Sequence, residues 1–256
     1  MLLVDSHTHI YSEQFDQDRK EVIQRAMDNG VKRFYLPSIN SSYYPKMEEL
    51  KNKYPENMFL MMGLHPCDVK LDSYEKELAF VENKLSEEPY AAVGEIGLDL
   101  FWDTSTLEIQ KYAFIKQIQL AKQYKLPVVI HVREAFDQVL EIIRNEKDAD
   151  LYGILHCFTG NLEQAKEFID LGFYLGIGGV VTFKNGKIDQ FLKEIPLENI
   201  VLETDAPYLA PSPFRGKRNE SSYLKIIVDK LSDIYEMMPE KIGIITSENA
   251  RKIFKL

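Results

Sequence analysis

Short β-rich runs alternate with longer polar or amphipathic stretches along the whole chain. The β-rich runs cover residues 2–4, 33–37, 59–63, 91–94, 127–130, 153–155, 173–177 and 200–202. Between them lie stretches with helical periodicity. In residues 106–124, for example, Leu107, Tyr112, Ile115, Ile118 and Leu120 fall roughly on one side. Such an alternation of β and α elements predicts a parallel sheet whose strands are joined by helices.

The number of repeats narrows the choice of architecture. Eight β–α units within 256 residues favour a closed (β/α)8 TIM barrel, and we expect residues 1–256 to form one domain. An open, doubly wound sheet is the alternative. No G-x-G-x-x-G motif follows the first run, so a dinucleotide-binding version of that sheet has no support. Residues 221–256 have a helical pattern and would close the outer ring.

Composition and charge exclude some classes of protein. The formal net charge of −9 argues against a protein that wraps nucleic acid with a broad basic surface. It leaves open an enzyme that holds a few phosphates through metal ions. The first residues have no basic segment or long apolar core, and no apolar stretch is long enough to span a bilayer. We therefore expect a cytoplasmic protein without membrane contact or an obligate protein partner.

Metal-binding residue types stand at the ends of the β-rich runs. All five histidines do so, namely His7, His9, His65, His131 and His156. Glu95 follows the fourth run, and Glu203 and Asp205 follow the eighth. In a barrel these strand ends converge on one face, where active sites lie. Alternate residues of a strand point the same way, so His7 and His9 should face the barrel mouth together, as should Glu203 and Asp205.

Each of these residues has an ordinary structural explanation when it is taken alone. A strand histidine is usually a satisfied core or surface residue, Glu95 could be a paired buried carboxylate, and Asp205 could cap a helix. Together they would be costly to pack unless they bound something. Imidazole and carboxylate groups coordinate zinc, manganese, cobalt or magnesium without selecting among them. Six such ligands are too many for one open ion, so we predict two ions about 3.5–4 Å apart, bridged by Glu95.

The cysteines add little to this interpretation. Cys67 and Cys157 cannot form a disulfide framework, and each follows closely after a histidine. A role as a metal ligand is possible for such a residue, but we expect free, partly buried thiols.

Six blocks of sequence resemble the TatD family of metal-dependent deoxyribonucleases, which are amidohydrolase-like barrels. In order they are DSHTH at 5–9, GLHP at 63–66, VGEIGLD at 93–99, HCFTG at 156–160, ETDAPYL at 203–209 and RGKRNE at 215–220. The resemblance covers essentially the whole chain. One departure is Ser221, where the family often has proline after the last block. That change affects a loop and no proposed ligand.

The resemblance implies specific roles for the clustered residues. One metal would be held by His7, His9, Glu95 and Asp205. The second would be held by Glu95, His131 and His156. His65 would lie beside the metals and contact the substrate phosphate. The implied reaction is exonucleolytic hydrolysis of phosphodiester bonds at DNA ends by a metal-activated water, with Asp205, Glu95 and His65 as the catalytic residues.

Further residues are candidates for substrate binding. Arg215, Lys217 and Arg218 follow the eighth strand and form either a solvated turn or a phosphate clamp above the metals. Arg133 stands two positions after His131 and would join such a clamp.

Three other side chains near the predicted mouth have open roles. Glu203 is a further candidate for substrate binding at this face, where it could instead fix a histidine tautomer or pair with Arg133 or another base. Trp102 and Tyr208 lie in predicted mouth loops and either stack on a base or pack against the protein.

Two rival functions use the same residues. An ester or amide hydrolase, such as a D-aminoacyl-tRNA deacylase, would need the same metal ligands. A non-catalytic protein that keeps the metals for structure is the alternative from another class. The presence of both Glu95 and Asp205 favours a catalyst.

Overall fold

Eight parallel strands follow one another in chain order around a barrel in the computed structural model, which describes residues 2–255. The strands are β1 (Leu3–Asp5), β2 (Val31–Leu36), β3 (Met58–Met62), β4 (Ala92–Asp99), β5 (Val128–Arg133), β6 (Gly153–Leu155), β7 (Phe173–Ile177) and β8 (Ile200–Leu202). Each pairs in parallel with the next. The predicted barrel is thereby confirmed.

Helices cover the outside of the strands. They are α1 (Arg19–Asp28), α2 (Tyr44–Lys53), α3 (Tyr74–Glu87), α4 (Leu107–Tyr124), α5 (Phe136–Glu146), α6 (Leu162–Asp170), α7 (Leu224–Tyr235) and α8 (Pro239–Phe254). Short 3-10 turns, not an α-helix, connect β7 to β8. The helical segment predicted for 221–256 is two helices, because Glu236 takes a left-handed conformation (φ 53°) and Pro239 begins α8. Leu256 lies outside the described residues.

The barrel closes through backbone hydrogen bonds between the segments that follow β1 and β8. The Ser6 N–H donates to the Leu202 carbonyl at 3.0 Å. Beyond the strands, Asp205 N–H donates to the His7 carbonyl at 2.9 Å and His9 N–H donates to the Ala206 carbonyl at 2.7 Å. This closure excludes the open sheet and brings the two histidines of the first turn next to Asp205.

Strands β4 and β5 are longer than the sequence pattern predicted. Glu95 and His131 therefore lie inside their strands and do not end them. The apolar pattern of β4 is interrupted by Glu95 and Gly97, which is why the predicted strand stopped early. Gly97 has φ +136° and lies so close to β5 that an added Cβ would be 2.1 Å from the His131 carbonyl oxygen. Only glycine fits this position.

The barrel interior forms an apolar floor beneath the strand ends. Val129, Ile154 and Val201 belong to one buried cluster. Val129 stands two residues before His131 on β5, so these two side chains share one strand face. Helix α8 contributes to the same cluster, and its Phe254 ring stacks on Tyr35 with centroids 3.8 Å apart. The polar groups therefore have an open side only at the carboxyl ends of the strands.

Cys67 and Cys157 are both free thiols, as the sequence predicted. Among residues 2–255, no helix combines the length and the apolar character that crossing a membrane requires.

A buried asparagine joins α8 to the start of β8. Asn249 is 1% exposed, and its side-chain amide donates to the carbonyls of Leu197 at 2.9 Å and Ile200 at 2.8 Å. We expect Asn249→Ala to lower the free energy of unfolding by about 2 kcal/mol, because two buried carbonyls lose their donor. Urea denaturation measures this. The control is Lys252→Ala, an exposed position of the same helix, and equal unfolding midpoints for both variants would contradict the assignment.

Candidate active site

Four side chains converge at the carboxyl end of the barrel, and they are carried by β4 and by the segments that follow β1 and β8. The Nε2 atom of His7 lies 3.1 Å from Glu95 Oε2 and 3.6 Å from Asp205 Oδ1. The Nε2 atom of His9 lies 3.6 Å and 3.3 Å from the same two oxygens. The two Nε2 atoms are 3.2 Å apart. These four groups could hold one cation between them.

A second group of nitrogens surrounds the other oxygen of Glu95. Glu95 Oε1 lies 2.8 Å from His156 Nε2, 3.0 Å from His131 Nδ1 and 3.3 Å from His65 Nε2. The facing nitrogens of His131 and His156 are 3.3 Å apart. The two oxygens of one carboxylate thus face two different nitrogen groups, as a carboxylate between two cations does.

The hydroxyl of Tyr11 determines which nitrogen of His9 carries the proton. This hydroxyl donates to the Pro37 carbonyl at 2.5 Å, so it accepts the hydrogen bond from His9 Nδ1 at 2.8 Å. A neutral ring with the proton on Nδ1 has its lone pair on Nε2. The lone pair of His9 therefore points at Glu95 and Asp205, as a metal ligand requires.

Asp99 has the same effect on His131. Its Oδ2 lies 2.9 Å from His131 Nε2, and burial raises the pKa of Asp99, but the hydrogen bond from His131 lowers it to about 2. Asp99 is therefore a carboxylate and accepts the Nε2 proton. In the neutral ring, which a metal ligand requires, the lone pair of His131 is then on Nδ1, which faces Glu95.

His65 differs from these two histidines, because its proton is on the nitrogen that faces Glu95. The backbone N–H of Cys67 donates to His65 Nδ1 at 3.1 Å, so the proton of the neutral ring is on Nε2. Burial lowers the pKa of His65 and favours this neutral form. The Nε2–H group of His65 therefore points at Glu95 Oε1 as a donor. It is suited to an oxygen acceptor and not to a metal ion.

Glu203 lies beneath His156, which corrects its assignment to substrate binding. It is fully buried and does not line the cavity. Its Oε1 accepts the Cys157 backbone N–H at 2.5 Å and lies 3.6 Å from His156 Nδ1. Gly176 makes room for it, since an added Cβ would be 2.2 Å from Glu203 Oε2. No ion pair joins Glu203 to Arg133 among residues 2–255, and the basic group beside Glu203 is His156.

The charges of the cluster favour a bound cation. Burial raises the pKa of Glu95, but the surrounding histidines, His156 first, outweigh it and hold this pKa well below its usual range. Burial lowers the pKa of His156, but Glu95 and Glu203 raise it well above its ordinary value. The ionised carboxylates therefore draw positive charge to this point, which a divalent ion supplies. The ring atom His7 Nδ1 has no hydrogen-bond partner among residues 2–255.

A buried aspartate joins the two turns that carry His7, His9 and Asp205. Asp5 accepts the backbone N–H of Thr204 at 2.9 Å and its hydroxyl at 2.6 Å. The next residue, Asp205, has a left-handed backbone (φ 57°), which is uncommon outside glycine but tolerated by aspartate. The turn after β8 is thus fixed against the turn that carries His7 and His9.

A cavity of about 680 Å³ opens over this cluster. Its wall includes His9, His65, Glu95, His131, His156 and Asp205. Arg133, Trp102 and Tyr208 also line it. Trp102 is 71% exposed and Tyr208 is 51% exposed, so both rings have accessible faces.

The basic loop after β8 does not form the predicted clamp. None of Arg215, Lys217 and Arg218 lines this cavity within the described part of the chain. The guanidinium of Arg218 makes two hydrogen bonds to Asp18, at 2.8 Å and 2.6 Å. Arg215 and Lys217 are exposed, and Arg215 lies over the Phe183 ring. The charge of Arg218 is therefore already paired with an acidic residue of the chain, and this pairing joins the loop to the start of α1.

Three residues that orient this cluster were not singled out from the sequence. Tyr11 continues the alternation of His7 and His9, and Asp99 stands at even spacing from Glu95, so the strand period offered a signal for both. The signal was missed because the predicted strands ended before these residues. The contact between Asp5 and Thr204 joins opposite ends of the chain, and no local pattern predicts it.

Comparisons with known proteins agree with this geometry. The family described as TatD related DNase matches residues 4–255. An uncharacterized metal-dependent hydrolase, YabD of Bacillus subtilis, is 41% identical over 256 residues, and the match covers 100% of both chains. The 3'-5' ssDNA/RNA exonuclease TatD of Salmonella typhimurium is 33% identical over 261 residues, covering 99% of each chain.

A solved structure has the same fold. The crystal structure of YjjV, a TatD homolog from Escherichia coli k12, superposes with a TM-score of 0.92 at 29% identity, covering 99% of this chain and 98% of that one.

The contact between Asp99 and His131 yields a testable expectation. Asp99→Asn replaces the acceptor of the His131 proton by an amide that can also donate, so the tautomer of His131 is no longer fixed. We expect the affinity for added Mn²⁺ or Zn²⁺ to fall about 10–100-fold, measured by metal titration. The control is Asp103→Asn, an exposed aspartate of the same loop whose side chain contacts Ser105. Unchanged affinity in Asp99→Asn would show that this contact does not orient the ligand.

Proposed function

This chain belongs to the TatD related DNase family and is a metal-dependent hydrolase, and we propose that it cleaves phosphodiester bonds at the ends of nucleic-acid chains. The observation that carries the proposal is the position of Glu95, whose two oxygens each face a separate nitrogen group. The relative from Salmonella typhimurium named as a ssDNA/RNA exonuclease supports the choice of substrate class. We further propose that residues 1–256 act as one catalytic domain.

The proposed metal ligands are the carboxylates and the histidine nitrogens that face one another in the cluster. His7, His9, Glu95 and Asp205 would hold one divalent ion, and Glu95, His131 and His156 would hold the second. The tautomers of His9 and His131 support this division, because Tyr11 and Asp99 leave the inward nitrogens free to coordinate. Two divalent ions at these ligands supply Lewis acidity toward a phosphoryl oxygen and lower the pKa of a water molecule.

The protein's own groups have distinct tasks in the proposed reaction. Asp205 is an ionised carboxylate, because the hydrogen bond and charges of its histidine neighbours hold its pKa low despite burial. Its Oδ1 lies 3.3 Å from His9 Nε2. The carboxylate can orient the attacking water and accept its proton. His65 presents a neutral Nε2–H, which can donate to a phosphate oxygen and offset the charge that develops on it.

The test of the proposed function combines a cleavage assay with a variant of the bridging residue. We expect the metal-loaded protein to shorten 3′- or 5′-labelled single strands and to lose this activity in a chelator. Glu95→Gln removes the charge that faces both nitrogen groups, so it should abolish cleavage and most bound metal. Elemental analysis of the purified variant measures the metal.

The control for this experiment is Glu13→Gln, a surface glutamate that pairs with Lys46. A normal metal content in Glu95→Gln would contradict the bridging role. Chelator-sensitive hydrolysis of an aminoacyl ester without cleavage of any oligonucleotide would favour the ester-hydrolase alternative.

His65 provides a separate prediction about the donor. His65→Ala should keep its full metal content but lose on the order of 10²–10³ in kcat, because one donor to the developing charge is removed. His65→Gln, which retains an N–H donor, should lose less. Elemental analysis and single-turnover rates measure the two effects. Loss of one metal equivalent in His65→Ala would identify His65 as a ligand instead.

A further inference from the structure

An exposed aromatic pair and one arginine stand together at the edge of the cavity. Phe101 is 46% exposed and Trp102 is 71% exposed, and their rings meet edge to face with centroids 4.9 Å apart. The guanidinium carbon of Arg133 lies 3.6 Å from the Phe101 ring centroid and 5.4 Å from that of Trp102. We call Phe101, Trp102 and Arg133 the platform. Two large rings left open to solvent are typical of a binding surface.

The platform is fixed to the metal-ligand cluster through one carboxylate. Asp99 Oδ1 accepts the backbone N–H groups of Phe101 at 3.0 Å and Trp102 at 3.4 Å. Its Oδ2 faces His131 Nε2 at 2.9 Å. In addition, the Leu100 N–H donates to the Arg133 carbonyl at 3.0 Å. The backbone that carries the two rings is therefore held at a set distance from a proposed metal ligand.

The spacing and chemistry of the platform suit one nucleotide. Arg133 stands two residues beyond His131 on β5, which is roughly 6.6 Å along a strand. A group bound at the platform is therefore adjacent to a phosphate held at the cluster. The rings and the guanidinium offer π and cationic faces, which attract the face of a base of any sequence. Within an overall charge of −9, Arg133 also supplies the basic group that Arg218 does not.

We propose that Phe101, Trp102 and Arg133 bind one unpaired nucleobase by stacking, next to the phosphate at the metal centre. A base inside a duplex already has its faces covered by its neighbours, so the platform selects single-stranded or frayed ends. This inference rests on the proposed function for its choice of substrate. It assigns a specificity site that lies outside the metal ligands.

The single tryptophan of the chain reports directly on the platform. Trp102 is the only tryptophan, so the intrinsic tryptophan fluorescence of the full-length protein comes from this site. The protein is titrated with a short phosphorothioate oligodeoxyadenylate, which resists hydrolysis, and with an abasic oligomer of the same length and charge. We expect saturable quenching by the first and little by the second. Equal quenching by both would overturn the proposal, because charge alone would then explain the binding.

Variants separate stacking from general loss of structure. Trp102→Ala and Phe101→Ala should each weaken binding of the labelled oligodeoxyadenylate about tenfold in fluorescence anisotropy. Binding of the abasic oligomer should change little. Tyr112→Ala is the matched control, because Tyr112 is 56% exposed on α4 and does not line the cavity. Equal losses for the two oligomers, or a loss in the control as large as in Trp102→Ala, would contradict the platform.

The same measurements separate the platform from the proposed nuclease activity. Base-dependent quenching without cleavage of any oligonucleotide would support the platform and contradict the nuclease activity. Cleavage at the same rate for paired and unpaired ends, with no base-dependent quenching, would support the nuclease and overturn the platform.

Discussion

One buried carboxylate sets the constraint on which the rest of the site depends. Glu95 is 2% exposed, and burial alone would favour its neutral form. Nitrogens of His7, His65, His131 and His156 lie 2.8–3.3 Å from its two oxygens and keep it ionised. An ionised group inside a protein needs positive charge beside it. The barrel satisfies this need because its parallel strands end at one face, so residues distant in sequence surround a single side chain.

The neighbours of the histidines decide what each ring does. Tyr11 and Asp99 each accept a ring proton, and the inward nitrogens of His9 and His131 are left with lone pairs. The backbone N–H of Cys67 has the reverse effect on His65, whose inward nitrogen keeps its proton. Two rings are thereby suited to cations and one to an oxyanion. Three identical side chains thus gain different chemistry from contacts that lie outside the cluster.

Charge is distributed unevenly around the mouth of the barrel. The loop after β8 is rich in basic residues, but its Arg218 is held by Asp18, the residue before α1, and Glu220 is held by Arg25 on α1. This part of the chain attaches the last loop to the first helix. The cationic group that does line the cavity is Arg133, which lies against Phe101 and Trp102. An acidic protein thus keeps one accessible cation beside its candidate metal centre.

The sequence by itself determined the barrel and the candidate cluster, because both depend on local periodicity. Strands such as Gly153–Leu155 and Ile200–Leu202 were predicted at their observed bounds, and the histidines at strand ends indicated one shared face. Only the tertiary structure decided the pairings between distant residues. Asp99 with His131, Glu203 beneath His156 and Arg218 with Asp18 each join separate elements. Which residues become partners depends on how the elements pack in space, and the spacing of residues along the chain does not contain that information.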